Sequence, residues 1–345
     1  MQRRRRFRNT LGACAVAALS LAPMVATTAG ATPAAADQRD RTGVSAVGTY
    51  AVGQVTETFV DTSRPTPAFG TFVGAPERTI ETVISYPAEG TYVEDQITPN
   101  AKPDKAGAPY PLIVFGHGFT GNASVYESII SEWVSAGYVV AAPNYPLSNT
   151  NAPGGNAFVG GISDVSHQPA DASFVIDNVI ELSQTKGNPR RGLVDKKHIG
   201  ASGHSGGGIT TLGLVYADCC LDKRIDAAAP MSALAGLVAD GNTYFNGIDT
   251  PLLELHGDSD GLVPYQAGVD AYTRAEGPKF LVTFTGAGHV TPFVGAGGPQ
   301  GDVLVGSSVA FWDRYLKGDR DGLDRLRETV DDPAVATLQE QERPT

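Results

Sequence analysis

The sequence is poor in cysteine and in positive charge. Three cysteines occur in 345 residues, and two of them, Cys219 and Cys220, are adjacent, so no framework of disulfides connects distant segments. The adjacent pair can form only a vicinal disulfide or stay as two thiols. Lys and Arg number 26 against 37 Asp and Glu, for a formal net charge of -11. A chain this acidic has no electrostatic attraction to nucleic acid or to anionic lipid.

Long apolar runs are also missing, except near the N-terminus. Five arginines within the first eight residues precede an apolar stretch at residues 11–25, and small-residue sites follow at residues 29–31 and 34–36. Roughly 15 apolar residues are too few to span a bilayer comfortably. Residues 1–36 are therefore predicted to be an export signal that is removed, by the general secretory or the twin-arginine route. We expect a secreted protein without a stable membrane anchor.

From about residue 79 the sequence alternates short apolar segments with helical patterns. This alternation is typical of an α/β fold with a mostly parallel central sheet and helices on both faces. Residues 37–78 are predicted to form an N-terminal extension with the first edge strands, residues 79–318 the main domain, and residues 319–345 a charged tail that is frayed or disordered. Predicted strands are 79–86, 111–115, 138–142, 198–201, 225–231, 251–255 and 279–284, and predicted helices are 125–136, 169–182, 209–216 and 303–316.

Two further segments bear on the shape of a binding site. Residues 143–163 are rich in Pro, Gly and Asn and are predicted to be a long loop, which in compact domains is usually functional or mobile. Only a short segment separates the strands predicted at 225–231 and 251–255. It is too short for a large lid domain, so the sequence predicts an open cleft, walled by residues 143–163 and 290–301.

A nucleophile is indicated by Gly203-His204-Ser205-Gly206-Gly207, which fits the pattern G-x-S-x-G. In that pattern the serine lies on a strained turn between a strand and a helix, and side chains at the two outer glycines would clash with neighbouring backbone. A predicted strand precedes the motif and a predicted helix follows it. The alternative is an ordinary glycine-rich loop.

The general base is identified by elimination. When Ser, acid and His follow each other in that order along the chain, the histidine must come after Ser205, which leaves His256 and His289. His256 ends a predicted strand before any acid in a suitable loop. His289 follows another predicted strand in a glycine-rich loop, where its imidazole can take the serine proton and return it to the leaving alcohol.

The acid is predicted in the loop after residues 251–255. Asp258 and Asp260 are both candidates, and Asp260 is preferred because it lies four residues before Pro264, which begins the next helix. Asp258 then caps or braces the loop. A rival interpretation makes His256, Asp258 and Asp260 metal ligands, but no second cluster of comparable ligands is nearby in the sequence. No cofactor or metal is required by the predicted chemistry.

An oxyanion hole requires two backbone N–H groups that point at the developing negative charge. Gly206, directly after the nucleophile, supplies the first at a helix N-terminus. The second is expected from the loop at residues 116–121, with Phe119 as the preferred donor and its ring lining the cleft. His117 is predicted to orient this loop through hydrogen bonds and not to carry a proton.

With these residues placed, residues 75–317 resemble the α/β-hydrolase superfamily. The nearest resemblance is to secreted bacterial cutinases and polyester hydrolases and to dienelactone-hydrolase-like esterases. It implies a triad of Ser205, Asp260 and His289 with Phe119 and Gly206 as oxyanion donors. The segments that carry it are HGFTG at 117–121, SEWVSAGYVVAAPNY at 131–145, GHSGGG at 203–208, HGDSDGLVPY at 256–265 and GAGH at 286–289.

The chain departs from that resemblance at two places. Polyester hydrolases of this group tend to carry Trp before the nucleophile and Met after it, where this chain has His204 and Gly206. They also have a C-terminal disulfide that two adjacent cysteines cannot reproduce. The resemblance therefore supports a serine esterase but not polyester specificity.

The expected substrate is a small-molecule or polymeric ester. A phospholipase of the platelet-activating-factor acetylhydrolase type, or a peptidase, would use the same triad. A non-catalytic binding protein of the same fold is the alternative from a different class, and it predicts a broken triad. The sequence makes no prediction about oligomeric state.

Overall fold

The computed structural model describes residues 48–342, so the predicted export signal at residues 1–36 lies outside the described part of the chain. Ten strands in this range form one sheet. Their bounds are β1 Tyr50–Asp61, β2 Arg78–Thr91, β3 Ile97–Pro99, β4 Tyr110–Gly116, β5 Val139–Asn144, β6 Val194–His204, β7 Ile225–Met231, β8 Leu252–Gly257, β9 Lys279–Phe284 and β10 Ala336–Gln341.

The strands lie in the order β10-β9-β8-β7-β6-β4-β5-β2-β1-β3. From β5 across to β9 every pairing is parallel. Antiparallel pairings occur towards the edges, where β2 joins β1 and β5 and where β10 joins β9. The expectation of a mostly parallel sheet is confirmed, and β1 belongs to the same sheet as the strands of the predicted main domain.

Seven α-helices connect and cover these strands in the described range. They are α1 Glu127–Ser135, α2 Ala157–Asp164, α3 Gln168–Gln184, α4 Gly206–Tyr216, α5 Gln266–Arg274, α6 Gly298–Leu316 and α7 Gly322–Thr329. A short 3-10 helix, residues 123–126, leads into α1. None of the helices among residues 48–342 combines the length and apolar composition of a membrane-spanning segment.

The sheet separates two hydrophobic cores. Successive residues of a strand point to opposite faces, and β4 shows this directly: Leu112 and Val114 belong to one core, Ile113 and Phe115 to the other. The first core contains the buried side chains of α3 and α4, and the second contains those of α1 and α6. Both faces of the central strands are thus covered, which explains why those strands are almost continuously apolar.

A fully buried ion cluster fixes the short helix α2 to the sheet. The guanidinium of Arg78, at the start of β2, donates to Asp164 at 2.7 and 3.0 Å and to Asp171 at 2.6 Å. Asp164 is the last residue of α2, and Asp171 lies in the first turn of α3. Arg64 reaches Asp171 from the side at 2.9 Å. Asp171 therefore has two guanidinium partners and Asp164 has one, and Arg78 is 0% exposed.

Two expectations differ from the structure. Residues 143–163 are not a loop throughout, because α2 begins at Ala157 and its first turn is capped by the side chain of Asn156. The tail is not frayed over its described part, since α7 and the edge strand β10 are formed. Leu326 and Ala336 are buried. The charges that suggested disorder are paired, as between Arg327 and Glu340.

The adjacent cysteines Cys219 and Cys220 are joined in a vicinal disulfide after the end of α4. This is one of the two states that the sequence allows.

The Arg78 cluster generates a stability prediction. Arg78→Met leaves buried Asp164 without a cation and leaves Asp171 with Arg64 alone, so the free energy of unfolding is expected to fall by about 3–5 kcal/mol. Urea denaturation followed by circular dichroism measures this. Lys102→Met is the control: it breaks an ion pair with Glu89 whose side chains are 76% and 52% exposed, and the expected change is below about 1 kcal/mol. Equal effects of the two substitutions would contradict a structural role for the cluster.

Candidate active site

The candidate nucleophile lies on a sharp turn between β6 and α4. Ser205 has φ 54° and ψ −119°, a conformation that costs energy for a residue with a side chain. Its N–H donates to the carbonyl oxygen of Met231 at 2.9 Å, which ties the turn to the end of β7. The turn places the serine at the carboxyl ends of the parallel strands, where open α/β sheets bind their ligands.

The glycines around Ser205 are required by backbone packing. A Cβ on Gly203 would lie 2.5 Å from the carbonyl carbon of Gly207, and a Cβ on Gly207 would lie 2.0 Å from the carbonyl oxygen of Gly116. Both distances are shorter than any van der Waals contact. The steric reason for the G-x-S-x-G pattern is therefore present, and the backbone of β4 is the surface against which the turn packs.

The three predicted triad residues are brought together. His289 Nε2 lies 2.8 Å from Ser205 Oγ, and His289 Nδ1 lies 2.7 Å from Asp260 Oδ2. Because a carboxylate can only accept, Nδ1 carries the hydrogen and Nε2 accepts the serine O–H. The Asp260 side chain is fully buried, whereas that of His289 is 12% exposed. The geometry is that of a nucleophile, a base and an orienting acid.

The acid is held ionised by its donors. Burial alone would raise the pKa of Asp260, but hydrogen bonds from His289 and from the N–H groups of Leu262 and Val263 outweigh it and lower the pKa. The two backbone donors lie 2.8 and 2.9 Å from Oδ1. A carboxylate with three donors is fixed in orientation, and it can stabilise an imidazolium on His289.

Asp258 braces the loop that carries Asp260. This is the role expected for Asp258 when Asp260 is the acid. Its Oδ1 accepts from the N–H of Gly286 at 2.8 Å, and its own N–H donates to the carbonyl oxygen of Phe284 at 3.1 Å. Ser259 N–H donates to Ala287 at 3.0 Å. The loop that carries the acid is thus bound directly to the loop that carries the base.

His256 lies behind the triad in a pair that the sequence did not predict. Its Nδ1 is 3.2 Å from buried Glu254, and its Nε2 faces the carbonyl oxygen of Val263 at 3.1 Å and Asp260 Oδ2 at 3.5 Å. Nothing in residues 48–342 groups three potential ligands around a metal position. The glutamate within the apolar strand segment PLLELHG was the available signal for this pair, since a charge on a buried strand needs a partner.

Both expected oxyanion donors border the serine. Gly206 begins α4, so its N–H has no acceptor within the helix. The loop after β4 approaches from the other side: a Cβ on Gly118 would lie 3.3 Å from Ser205 Cβ. The N–H of Phe119, the next residue, has no acceptor among the described residues. Two N–H groups are therefore free next to the nucleophile.

The direction of the Phe119 N–H is fixed through its own peptide plane. In a trans peptide the N–H and the preceding C=O point in opposite directions. The carbonyl oxygen of Gly118 accepts from the N–H of Gly121 at 3.0 Å and from His117 Nδ1 at 2.8 Å. Because these two hydrogen bonds fix the Gly118 oxygen, they also fix the Phe119 N–H on the opposite side of the peptide.

His117 has the orienting role that the sequence analysis predicted. Its Nε2 accepts from the N–H of Tyr145 at 3.0 Å, so the hydrogen is on Nδ1. Burial lowers the pKa of His117 to about 4, although the hydrogen bond to Gly118 opposes this. The imidazole therefore stays neutral near pH 7 and carries a single fixed proton.

The ring of Phe119 fills the space beside the nucleophile turn. A Cβ on Gly206 would lie 2.3 Å from this ring, and a Cβ on Gly161 of α2 would lie 2.5 Å from it. Phe158, also on α2, meets it edge to face at 5.9 Å. The glycine after Ser205, which departs from polyester hydrolases, is thus explained: Phe119 occupies the place that a larger side chain would take.

Comparisons with known proteins bear on one segment of the sequence and on the fold. A family model described as platelet-activating factor acetylhydrolase, isoform II, matches residues 71–146, less than a quarter of the chain. That segment contains residues 116–121, where an oxyanion donor is expected, but none of the predicted triad residues. No curated protein sequence matches the chain significantly.

The structural comparison covers far more of the chain. A ferulic acid esterase from Streptomyces cinnamoneus superposes with a TM-score of 0.60 over 85% of this chain and 97% of that one, at 20% sequence identity. The chain has the α/β-hydrolase fold. In total 784 solved chains match significantly, and because this fold hosts many reactions, it does not by itself identify the substrate.

The sequence-based resemblance is confirmed at the level of this fold. Neither the family model nor the ferulic acid esterase is a cutinase or a polyester hydrolase. The nearer likeness to cutinases therefore stays a prediction.

The lowered pKa of Asp260 predicts how its contribution to stability varies with pH. A carboxyl group with a pKa lowered by folding stabilises the folded state above its ordinary value of 3.8, and this stabilisation disappears as the pH falls through the lower folded value. Asp260→Asn should therefore reduce the free energy of unfolding most at neutral pH. The difference from wild type should shrink below pH 3.8. Urea denaturation across this range measures it, and a pH-independent difference would contradict the assignment.

Proposed function

We propose that the chain is a secreted serine esterase that hydrolyses carboxylic esters through an acyl-enzyme intermediate on Ser205. One observation carries the proposal: an unbroken series of hydrogen bonds from Asp260 through His289 to Ser205, at 2.7 and 2.8 Å, with the serine on a strained turn. A binding protein of the same fold has no use for this strain or for a buried acid behind the base. The catalytic alternative is therefore favoured.

In the acylation step Ser205 Oγ attacks the ester carbonyl carbon while His289 Nε2 accepts the hydroxyl proton. The carbonyl oxygen becomes an oxyanion, which the N–H groups of Phe119 and Gly206 stabilise. When the tetrahedral intermediate collapses, the C–O bond to the alcohol breaks. His289 then returns the proton to the alcohol oxygen. Asp260 stabilises the imidazolium that exists between these two transfers.

In the deacylation step a water molecule replaces the alcohol. His289 removes a proton from the water as it attacks the acyl carbon, and the same two N–H groups stabilise the second oxyanion. Collapse releases the carboxylic acid and returns the proton to Ser205 Oγ. Water is the one reactant needed besides the chain and the ester to balance the two steps.

The surroundings of the triad favour an apolar ester. Large apolar side chains are exposed on the loops that carry the acid and the base: Leu262 comes two positions after Asp260 in the chain, and Val290 comes directly after His289. Phe158 and Ile162 are exposed on α2, the helix that packs on Phe119. We call these four exposed side chains the apolar rim, and such a surface suits bulky or extended acyl groups.

An acetylhydrolase acting on phospholipids is the second candidate. It is supported by the family-model match, which covers the oxyanion loop. The ferulic acid esterase instead suggests aromatic acyl groups. Cutinase-like and polyester-cleaving activity rests only on the sequence motifs. All of these reactions use the same triad, so they differ in the substrate and not in the mechanism.

A fluorophosphonate probe tests the serine mechanism. The intact protein is expected to be labelled covalently, as measured by mass spectrometry, because the probe reacts with activated serines. Ser205→Ala should abolish labelling. Ser259→Ala is the matched control, since it removes an exposed hydroxyl in the adjacent acid loop and should leave labelling intact. If wild type is not labelled, the esterase proposal is wrong.

A substrate panel tests the ester class and the open cleft. We expect kcat/KM for p-nitrophenyl esters to change gradually from short to long acyl chains, with little activity on the matching anilide. An abrupt loss beyond a few carbons would contradict the open cleft. A phospholipid with a short sn-2 acyl chain, a feruloyl ester and a polyester film are assayed in parallel, with Ser205→Ala as the blank. Preference for the phospholipid would favour the second candidate.

A further inference from the structure

Two buried side chains outside the triad connect the oxyanion loop to the base loop. The N–H of Gly118 lies 3.0 Å from Tyr126 Oη, and that oxygen lies 2.8 Å from His204 Nδ1. His204 Nε2 in turn lies 2.7 Å from the carbonyl oxygen of His289. The series begins at the residue before one oxyanion donor and ends on the backbone of the base. We define it as the Tyr126–His204 bridge.

Every proton in the bridge can be assigned. A carbonyl oxygen only accepts, so His204 Nε2 carries a hydrogen and donates it to His289. Burial, the largest cause, lowers the pKa of His204 to about 3, so the ring is neutral and Nδ1 must accept. Tyr126 therefore donates its O–H to Nδ1, and its oxygen accepts the N–H of Gly118. No member can turn without breaking a bond to the next one.

Packing leaves the bridge no freedom to rearrange. Tyr126 is 2% and His204 is 3% exposed. The His204 ring stacks on Phe293 at 5.1 Å and 25°, and Tyr126 packs against Phe115 at 5.0 Å. A Cβ on Gly118 would lie 3.0 Å from Tyr126 Oη. The phenol is thus in direct contact with the oxyanion loop.

We propose that Tyr126 and His204 are positioning residues that set the distance and orientation between the oxyanion loop and His289. The proposal rests on the proposed esterase function, since it assigns a role in that reaction. Neither side chain is hydrogen-bonded to the side chains of the triad, although the His204 ring lies 4.9 Å from the His289 ring. Their effect is exerted through the backbone, at Gly118 next to the Phe119 donor and at the His289 carbonyl.

The expected effect is on the transition state more than on substrate binding. The base and the oxyanion donors act together only when charge develops, so a displacement of one relative to the other raises the barrier. Ground-state contacts of the acyl group with the apolar rim do not involve the bridge. Loss of the bridge should therefore lower kcat and leave KM nearly unchanged.

Tyr126→Phe is the central variant, because it removes one hydroxyl and keeps the ring. With a soluble p-nitrophenyl ester, kcat is expected to fall on the order of tenfold with KM changed by less than about twofold. Affinity for an aryl boronic acid, which forms a tetrahedral adduct on Ser205, should fall by a similar factor.

Tyr138→Phe is the matched control. Tyr138 is also a buried tyrosine, and its hydroxyl donates to Asp313 at 2.7 Å near the amino end of β5, at the opposite end of the strands. Its loss should lower the thermal midpoint of unfolding without lowering kcat. If both variants lose the same fraction of kcat, the effect of Tyr126 is one of general stability and the proposal is wrong.

His204→Gln and the double variant test the coupling. Glutamine can place its amide N–H near the position of Nε2 and so retain the bond to His289, but it offers no acceptor at the Nδ1 position. Each single variant interrupts the same bridge. The double variant should therefore lose much less than the product of the two single losses. Multiplicative losses would show that the two residues act independently, against the proposal.

A measurement without turnover separates this proposal from the esterase proposal. In protein labelled with ¹⁵N-histidine, His204 should give the signals of a neutral Nε2–H tautomer between about pH 5 and pH 8, as its depressed pKa requires. Tyr126→Phe should shift the ring signals of both His204 and His289, and Tyr138→Phe should shift neither. Unchanged His289 signals in Tyr126→Phe would overturn the bridge even if wild type is an active esterase. Shifted signals in a protein without esterase activity would leave the bridge intact and reject only the proposed function.

Discussion

The close approach of three backbone segments at Gly116, Gly203 and Gly207 is the constraint from which the site is built. No Cβ fits between them, since one on Gly207 would lie 2.0 Å from the Gly116 oxygen. With β4 and β6 this close, the chain must turn sharply into α4, and Ser205 takes the strain of that turn. The same contact places the loop after β4 beside the serine, where its N–H groups can serve as oxyanion donors. The positions of the proposed nucleophile and of the proposed oxyanion donors thus follow from one packing arrangement.

The polar groups around the triad are almost completely paired, and this limits where a proton can move. His117 and His204 are neutral because burial lowers the pKa of each, and both nitrogens of each ring have assigned partners. A neutral, paired imidazole exchanges no proton with the site. His289, which is hydrogen-bonded to both Ser205 and Asp260, is the imidazole that the proposed reaction uses for proton transfer. Of these three histidines, His117 and His204 therefore position loops, and His289 is suited to chemistry.

Stability and the binding surface are linked through α2. This helix exposes Phe158 and Ile162 and lets Phe119 pack against its Gly161, so it contributes little burial of its own. The buried ion cluster of Arg78 with Asp164 and Asp171 attaches the helix to the sheet. A helix that exposes its apolar side chains makes few apolar contacts with the sheet. Here ion pairs take the place of those contacts. The apolar rim can therefore remain exposed without the helix detaching.

The sequence by itself determined the parts of this protein that depend on local pattern. Apolar runs gave most central strands, glycine spacing gave the turn at Ser205, and the order of residues along the chain selected Asp260 and His289. It could not give α7 and β10, because their few apolar residues are hidden among charges that find partners only in the folded chain. The roles of His204, Tyr126 and Glu254 were likewise decided by tertiary structure. Each role depends on a hydrogen-bond partner in another strand or loop, or on the face of the sheet to which the side chain points. A hydrogen bond of that kind has no periodicity, so only the folded arrangement of the loops at the carboxyl end of the sheet defines it.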